Sequence, residues 1–195
     1  MNAWDALKAD TYRQFGRYGW GLTLKGALTN RTFRVVVTMR LCQAANASNG
    51  PFRLALPCMK LLHRMATHGA ATDFPWRTDI GAGFALTHGW AAVINQGARI
   101  GRNVTLFHGV TLGRRDRISA AGERDTGYPV LEDEVWVGPN ATIVGGITIG
   151  RGSRVAGGAF VTDSVPPFSV VSGNPASIVK SGCVPDVMNP APLLP

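Results

Sequence analysis

An aliphatic residue returns every six positions through most of the second half of this chain: Ile80 and Leu86, then Ile94, Ile100, Leu106 and Leu112, then Leu131, Val137, Ile143, Ile149, Val155 and Val161. Two slips interrupt the count. Leu86 to Ile94 is a step of eight, and a polar stretch from Gly113 to Val130 separates Leu112 from Leu131. Glycine follows the marker at Gly81, Gly101, Gly113, Gly138 and Gly150, as a chain that turns sharply every few residues requires. A period of six matches neither an amphipathic helix nor the simple alternation of a sandwich strand. It matches a hexapeptide β-helix, in which each short strand buries its apolar residue only because coils stack into a continuous core.

In a three-sided coil, three hexads bring the chain back to the same face, one strand spacing of about 4.7–4.9 Å further on. Counting from Leu86 through Ile94 and Ile100 places Leu106 on that face, with the two-residue slip bulging outward. His88, in Leu-Thr-His-Gly, and His108, in Leu-Phe-His-Gly, each follow their marker by two residues. The frame therefore stacks two imidazoles on neighbouring coils and makes them a candidate active site. The alternative is that each serves as a hydrogen-bonded turn residue.

With 195 residues, 45% of them hydrophobic, the chain can bury a core as one domain or a domain with an appendage. Three cysteines, Cys42, Cys58 and Cys183, are too few for a disulfide framework and point to a reducing compartment. The start of the chain lacks the basic, apolar and small-residue order of a signal peptide, and no apolar run reaches the roughly 20 residues of a spanning helix. A cytoplasmic location is expected.

The net charge of +8 lies before the repeats. Residues 1–70 hold ten Lys or Arg against Asp5 and Asp10, whereas the remainder is balanced at ten of each sign. In that segment Val35, Met39 and Cys42 keep one helical face, which predicts a helix from about Thr32 to Ala45. After the break at Asn46–Pro51, Cys58, Leu61, Leu62 and Met65 repeat helical spacing behind Pro57, a residue tolerated in a first turn. Basic residues beside an apolar face suit peripheral contact with anionic lipid at the inner membrane or with an acidic polymer. A solvated face packed on the solenoid or another subunit fits equally well. No nucleic-acid partner is expected.

The stretch His88-Gly-Trp-Ala-Ala-Val-Ile-Asn95, then Phe107-His-Gly-Val-Thr-Leu-Gly113, Val137 to Gly150 and Gly173-Asn-Pro-Ala176 resembles the serine O-acetyltransferase group of hexapeptide acyltransferases. It looks closer still to members that acetylate colanic acid and other surface polysaccharides. The resemblance covers residues 73–180. The residues themselves read as an α-helical segment over 1–72, an extruded loop at 113–130 and a Pro-rich tail without a core at 183–195, and the resemblance implies a mainly β protein with a left-handed parallel β-helix over 73–182. It further implies a homotrimer with acetyl-coenzyme A in a cleft between solenoids.

O-acetylation needs a base, because a hydroxyl is a poor nucleophile near pH 7 until its proton is removed. By position, His88 matches the family's catalytic histidine, His108 a glutamine of the serine enzymes, and Asp73 the aspartate that orients the histidine. The resemblance puts Gly113, Trp136, Gly138, Arg154, Ala156, Gly157 and Lys180 along coenzyme A, with Arg154 and Lys180 toward its phosphates. Thr87, Asn95 and Tyr128 are expected to face the acceptor. Thr87 and Tyr128 depart from an aspartate and a histidine of the serine enzymes, and Gln96 from a glutamate. The expectation drawn from these departures is a saccharide acceptor from a surface polymer, with serine as the alternative. A metal-dependent hydratase using His88, His108 and His63 or His68, or a non-catalytic scaffold, are remoter readings. No metal is expected.

Overall fold

The computed structural model describes residues 2–192. Four helices come first. In α1 (Ala3–Phe15) the Asn2 side chain accepts from the Asp5 amide, and the helix closes at Gly16 in the left-handed region, where a residue without Cβ is unstrained. α2 (Trp20–Thr29) runs into Asn30, whose side-chain oxygen accepts from the amides of Thr32 and Phe33 and so starts α3 (Arg31–Ala47). α4 (Leu56–Gly69) follows a 3-10 turn over Pro51–Ala55. Its inner face differs from the apolar stripe expected: Leu61, Leu62 and Met65 are exposed, while His63, Ala66 and Thr67 are buried. Small residues let α4 approach α3 closely, and His63 is satisfied there by Thr38 Oγ1 at 2.9 Å and by the Phe74 carbonyl at 2.7 Å. No described helix is long and apolar enough to cross a membrane.

The repeats wind as a left-handed β-helix. The first coil is β1 (Asp79–Ile80), β2 (Ala85–Leu86) and β3 (Val93–Ile94); the second is β4 (Arg99–Ile100), β5 (Thr105–Leu106) and β6 (Thr111–Gly113). A hairpin of β7 (Arg115–Ile118) and β8 (Arg124–Gly127) interrupts. The third coil is β9 (Val130–Leu131), β10 (Trp136–Val137) and β11 (Thr142–Val144), the fourth β12 (Thr148–Ile149), β13 (Arg154–Val155) and β14 (Phe160–Val161), before β15 (Ser169–Gly173) and β16 (Ala176–Ser181) close the stack. Like faces pair in parallel: Ile80, Ile100, Leu131 and Ile149 form one column, Leu86, Leu106, Val137, Val155 and Val171 a second, and Ile94, Leu112, Ile143 and Val161 a third. All of these side chains are buried, each worth about 1.5–3 kcal/mol on removal from water. Coils approach so closely at the turns that a Cβ on Gly81 would lie 2.6 Å from the Gly101 carbonyl carbon.

The upper end of this column is covered by Phe33, Val35, Val36 and Met39 of α3 with Leu7 of α1, which continue the solenoid core through Phe84 and Phe74. An ion pair fastens the joint. Arg40 Nε meets Asp10 Oδ2 at 2.8 Å with both side chains sealed from solvent, and Asp10 Oδ1 accepts from the Phe84 amide at 2.8 Å. Arg13 is likewise buried, donating to the Gly83 and Met188 carbonyls and to Thr105 Oγ1. Two of the ten basic residues of the first segment are therefore structural.

Two expected irregular segments have structure. Within 113–130, β7 and β8 pair antiparallel; the strands carry cross-strand polar partners such as Asp116 with Thr126 at 2.9 Å rather than an apolar alternation, which hides them from a hydropathy pattern. The Pro-rich stretch from residue 183 is not a tail without a core. It runs back along the solenoid: Asp186 pairs with Arg154 at 2.9 Å, Met188 accepts from Arg13, and Ala191, fully buried, exchanges hydrogen bonds with Asn103 at 3.1 and 3.3 Å. Residues 193–195 of that stretch lie outside the described residues.

Candidate active site

The step of eight between Leu86 and Ile94 becomes a widened corner between the β2–β5–β10–β13 sheet and the β3–β6–β11–β14 sheet. His88 sits in it at φ 51°, a left-handed conformation that costs a non-glycine residue about 1 kcal/mol or more and recurs at functional sites. One coil on, the same corner carries His108. The imidazole centroids are 6.5 Å apart at 70°, and His88 lies 6.4 Å from the Phe107 ring. His88 is exposed; His108 is half-buried, and its Nδ1 is shielded from solvent with no hydrogen-bond partner among the described residues. The corner continues down the stack through hydrogen bonds from Gly109 to Trp90, from Asn140 to His108 and from Gly158 to Pro139. Gly109 has φ 67°, and a Cβ there would collide with the Asn140 side chain.

His88 opens onto a cavity of about 850 Å³. Its floor is the outer face of one sheet, where Thr87, Thr105, Phe107 and Trp136 line up; the Phe107 and Trp136 rings are 4.9 Å apart. One wall is formed by Arg13–Phe15 and Thr29–Thr32, the other by Asp186 and Met188 of the returning C-terminal stretch. Trp136 stands beside Arg154 in the strand register, and the guanidinium lies 5.7 Å from the indole centroid while pairing with Asp186.

The expected coenzyme A residues divide. Trp136 lines the cavity. Arg154 borders it on the same sheet, and Lys180 extends that sheet on the edge strand β16, opposite Val170. Gly138, Ala156 and Gly157 follow β10 and β13 at the histidine corner, outside the cavity lining, and a Cβ on Gly138 would come within 2.7 Å of the Gly157 amide. Gly113 lies at the other end of β6, stacked on Val144. Among the acceptor residues, Thr87 lines the cavity with His88. Asn95 and Tyr128 lie beyond the next strand: Asn95 Oδ1 accepts from the Gly97 amide at 2.9 Å, and the Tyr128 ring covers Gly97, where a Cβ would come within 2.6 Å of it. Asp73 is exposed above β3, its backbone bonded to Ala92 and Ile94, and its carboxylate makes no hydrogen bond to His88. His63 is spent on Thr38 and Phe74 within the helices; burial holds its imidazole below the ordinary histidine value.

Two site features escaped the sequence reading. Arg31 of α3 stacks on Trp90, its guanidinium carbon 3.5 Å from the ring centroid. The wall of Asp186 and Met188 comes from the far end of the chain. Trp90 stood within the motif, two residues after His88; nothing local marked Arg31, Asp186 or Met188.

Comparisons with known proteins agree with this fold. A family model described as bacterial transferase hexapeptide (six repeats) matches residues 128–163. Serine acetyltransferase 2 of Arabidopsis thaliana is 42% identical over 101 residues, 52% of this chain and 30% of that protein. The structure of a serine acetyltransferase in complex with coenzyme A from Brucella abortus strain S19 is similar with a TM-score of 0.71 and 25% identity, over 92% of this chain and 69% of that one. That of the Neisseria gonorrhoeae serine acetyltransferase in complex with serine has a TM-score of 0.70 and 27% identity, over 91% and 69%. The chain spans less than half the length of the curated relatives it matches.

These findings overturn the expectation of a surface-polysaccharide acceptor, since the relatives are serine acetyltransferases. The structure supplies the reason the inference misled. Tyr128 packs on a turn glycine and Gln96 is exposed in that same turn, so their identities answer to local packing and solvent rather than to the charge of an acceptor. The repeat half of this chain is a left-handed β-helix, and residues 128–163 within it match the bacterial transferase hexapeptide model.

Proposed function

We propose that this chain is an acetyl-coenzyme A-dependent O-acetyltransferase whose acceptor is L-serine. The observation that carries the reading is His88, held in a left-handed turn at a cavity of about 850 Å³ that Trp136 also lines, with Arg154 beside Trp136. Similarity to serine acetyltransferases, two of them bound to coenzyme A or serine, supports the substrates. His88 accepts the serine hydroxyl proton as the oxygen bonds to the acetyl carbonyl carbon, and returns that proton to the departing sulfur. The acetyl–sulfur bond breaks, giving O-acetylserine and free coenzyme A. General-base help of this kind is worth about 10² to 10⁴ in rate. His108 is proposed to position the acceptor against His88. No role in this step is proposed for Asp73, and a homotrimer is proposed as the working form.

A thiol-release assay with acetyl-coenzyme A tests this. L-serine is expected to drive release and to yield O-acetylserine by mass spectrometry, and His88→Ala is expected to cut turnover by at least about 10² with coenzyme A binding retained. Absence of serine-dependent release in the folded wild-type protein overturns the acceptor, and near-normal turnover in His88→Ala overturns the base.

A further inference from the structure

The cavity that receives His88 holds an arginine that nothing in the fold requires. Arg13 spends its nitrogens on Gly83, Met188 and Thr105, and Arg154 is paired with Asp186. Arg31 makes no hydrogen bond and no ion pair among the described residues, and its Nε is shielded from solvent without a partner. Burying a guanidinium N–H unpaired is costly unless a ligand completes it. The guanidinium carbon lies 3.5 Å from the Trp90 ring centroid, a cation–π contact that restrains the fork without using any of its N–H donors. Because Trp90 is two residues from His88 and its carbonyl is bonded to Gly109 beside His108, the fork is tied to the histidine corner. Arg31 is also the first residue of the 17-residue α3, whose N-terminus adds partial positive charge. Among the described residues, Asp186 is the one carboxylate that lines the cavity, and it is engaged by Arg154.

We propose that Arg31, braced by Trp90, binds the α-carboxylate of the amino-acid acceptor and so sets acceptor specificity. The assignment rests on the serine reading above. A guanidinium fork matches a carboxylate with two parallel N–H···O bonds, and a carboxylate held there fixes the acceptor at the end of the cavity where His88 stands. The anion is the acceptor's own rather than a coenzyme A phosphate, because Arg154 and Lys180 occupy the sheet further from His88, beside Trp136.

The test measures steady-state kinetics with L-serine and with L-serinamide, which keeps the hydroxyl and amine but lacks the carboxylate. The wild-type protein is expected to favour serine. Arg31→Gln is expected to raise KM for serine roughly 10- to 100-fold while leaving KM for serinamide and for acetyl-coenzyme A unchanged, which also shows that the variant is folded. Arg31→Lys is expected to recover part of the loss, and Trp90→Leu to weaken serine alone. An unchanged serine-to-serinamide preference in Arg31→Gln overturns the proposal while leaving the serine activity standing. A rise in KM for acetyl-coenzyme A with both acceptors overturns it in favour of a phosphate contact. Failure of the wild-type protein to acetylate either acceptor overturns the serine reading and this proposal together.

Discussion

Removing the Asp10 carboxylate should loosen the joint between the helices and the solenoid more than any change in surface charge. Arg40 donates Nε to Asp10 Oδ2 at 2.8 Å, and its remaining N–H groups reach the Ile80 carbonyl at 2.8 Å, the Gly81 carbonyl at 2.5 Å and Gln43 Oε1 at 3.0 Å. In Asp10→Ala those acceptors remain but the countercharge does not, and the Phe84 amide loses its acceptor. Breaking a buried pair from one side costs about 3–5 kcal/mol, with the orphaned amide contributing on the order of 1–3 of it. At roughly 2–4 °C per kcal/mol for a chain of this length, the midpoint should fall by about 6–20 °C. Asp10→Asn, which still offers Phe84 an acceptor, should lie between wild type and Asp10→Ala. The double variant Asp10→Leu/Arg40→Met should regain much of the loss, since no charge is left stranded. Thermal unfolding followed by circular dichroism measures all four proteins. A midpoint for Asp10→Ala within about 2 °C of wild type, or a double variant melting no higher than Asp10→Ala, would refute the reasoning.

Acidification should weaken the fold through His63. Burial depresses its folded value, so the unfolded chain binds the proton first, near the ordinary value of about 6.5; the stabilisation is complete above that pH and is lost as pH falls through the depressed folded value. Urea midpoints for wild type and His63→Gln should therefore converge from about pH 7 to pH 5, and parallel curves would exclude this role. Burial also pushes the Cys42 thiol up to about 11, and a thiol held in that range offers little thiolate near neutral pH. Labelling of the native protein at pH 8 should modify the exposed Cys58 and spare Cys42 until denaturant is added, an expectation contradicted if Cys42→Ser lowers the number of thiols that react before unfolding.

The repeat half was legible because its determinants are local. Each marker buries itself by the turn that follows it, and the step of eight at Leu86–Ile94 already signalled an enlarged corner where His88 now stands. The frame likewise brought His88 and His108 together. The helical half is less legible: the spacing that predicts α3 lies within two residues of its ends, but the apolar stripe of α4 does not mark its buried face, because Ala66 and Thr67 carry little hydrophobic signal and His63 is buried only through Thr38 and Phe74.

What the sequence alone determined is the six-residue period, and with it the coil, the stacked core and the histidine pair, since periodicity records which side of the chain must leave water. What only the tertiary structure decided is which charges do work. Arg13, Arg31 and Arg40 look alike among ten basic residues, yet one ties down the returning C-terminal stretch, one stacks unpaired beside His88, and one is sealed against Asp10. The physical reason is that the value of a charge depends on desolvation and on partners dozens of residues away, and neither is written in the residues beside it.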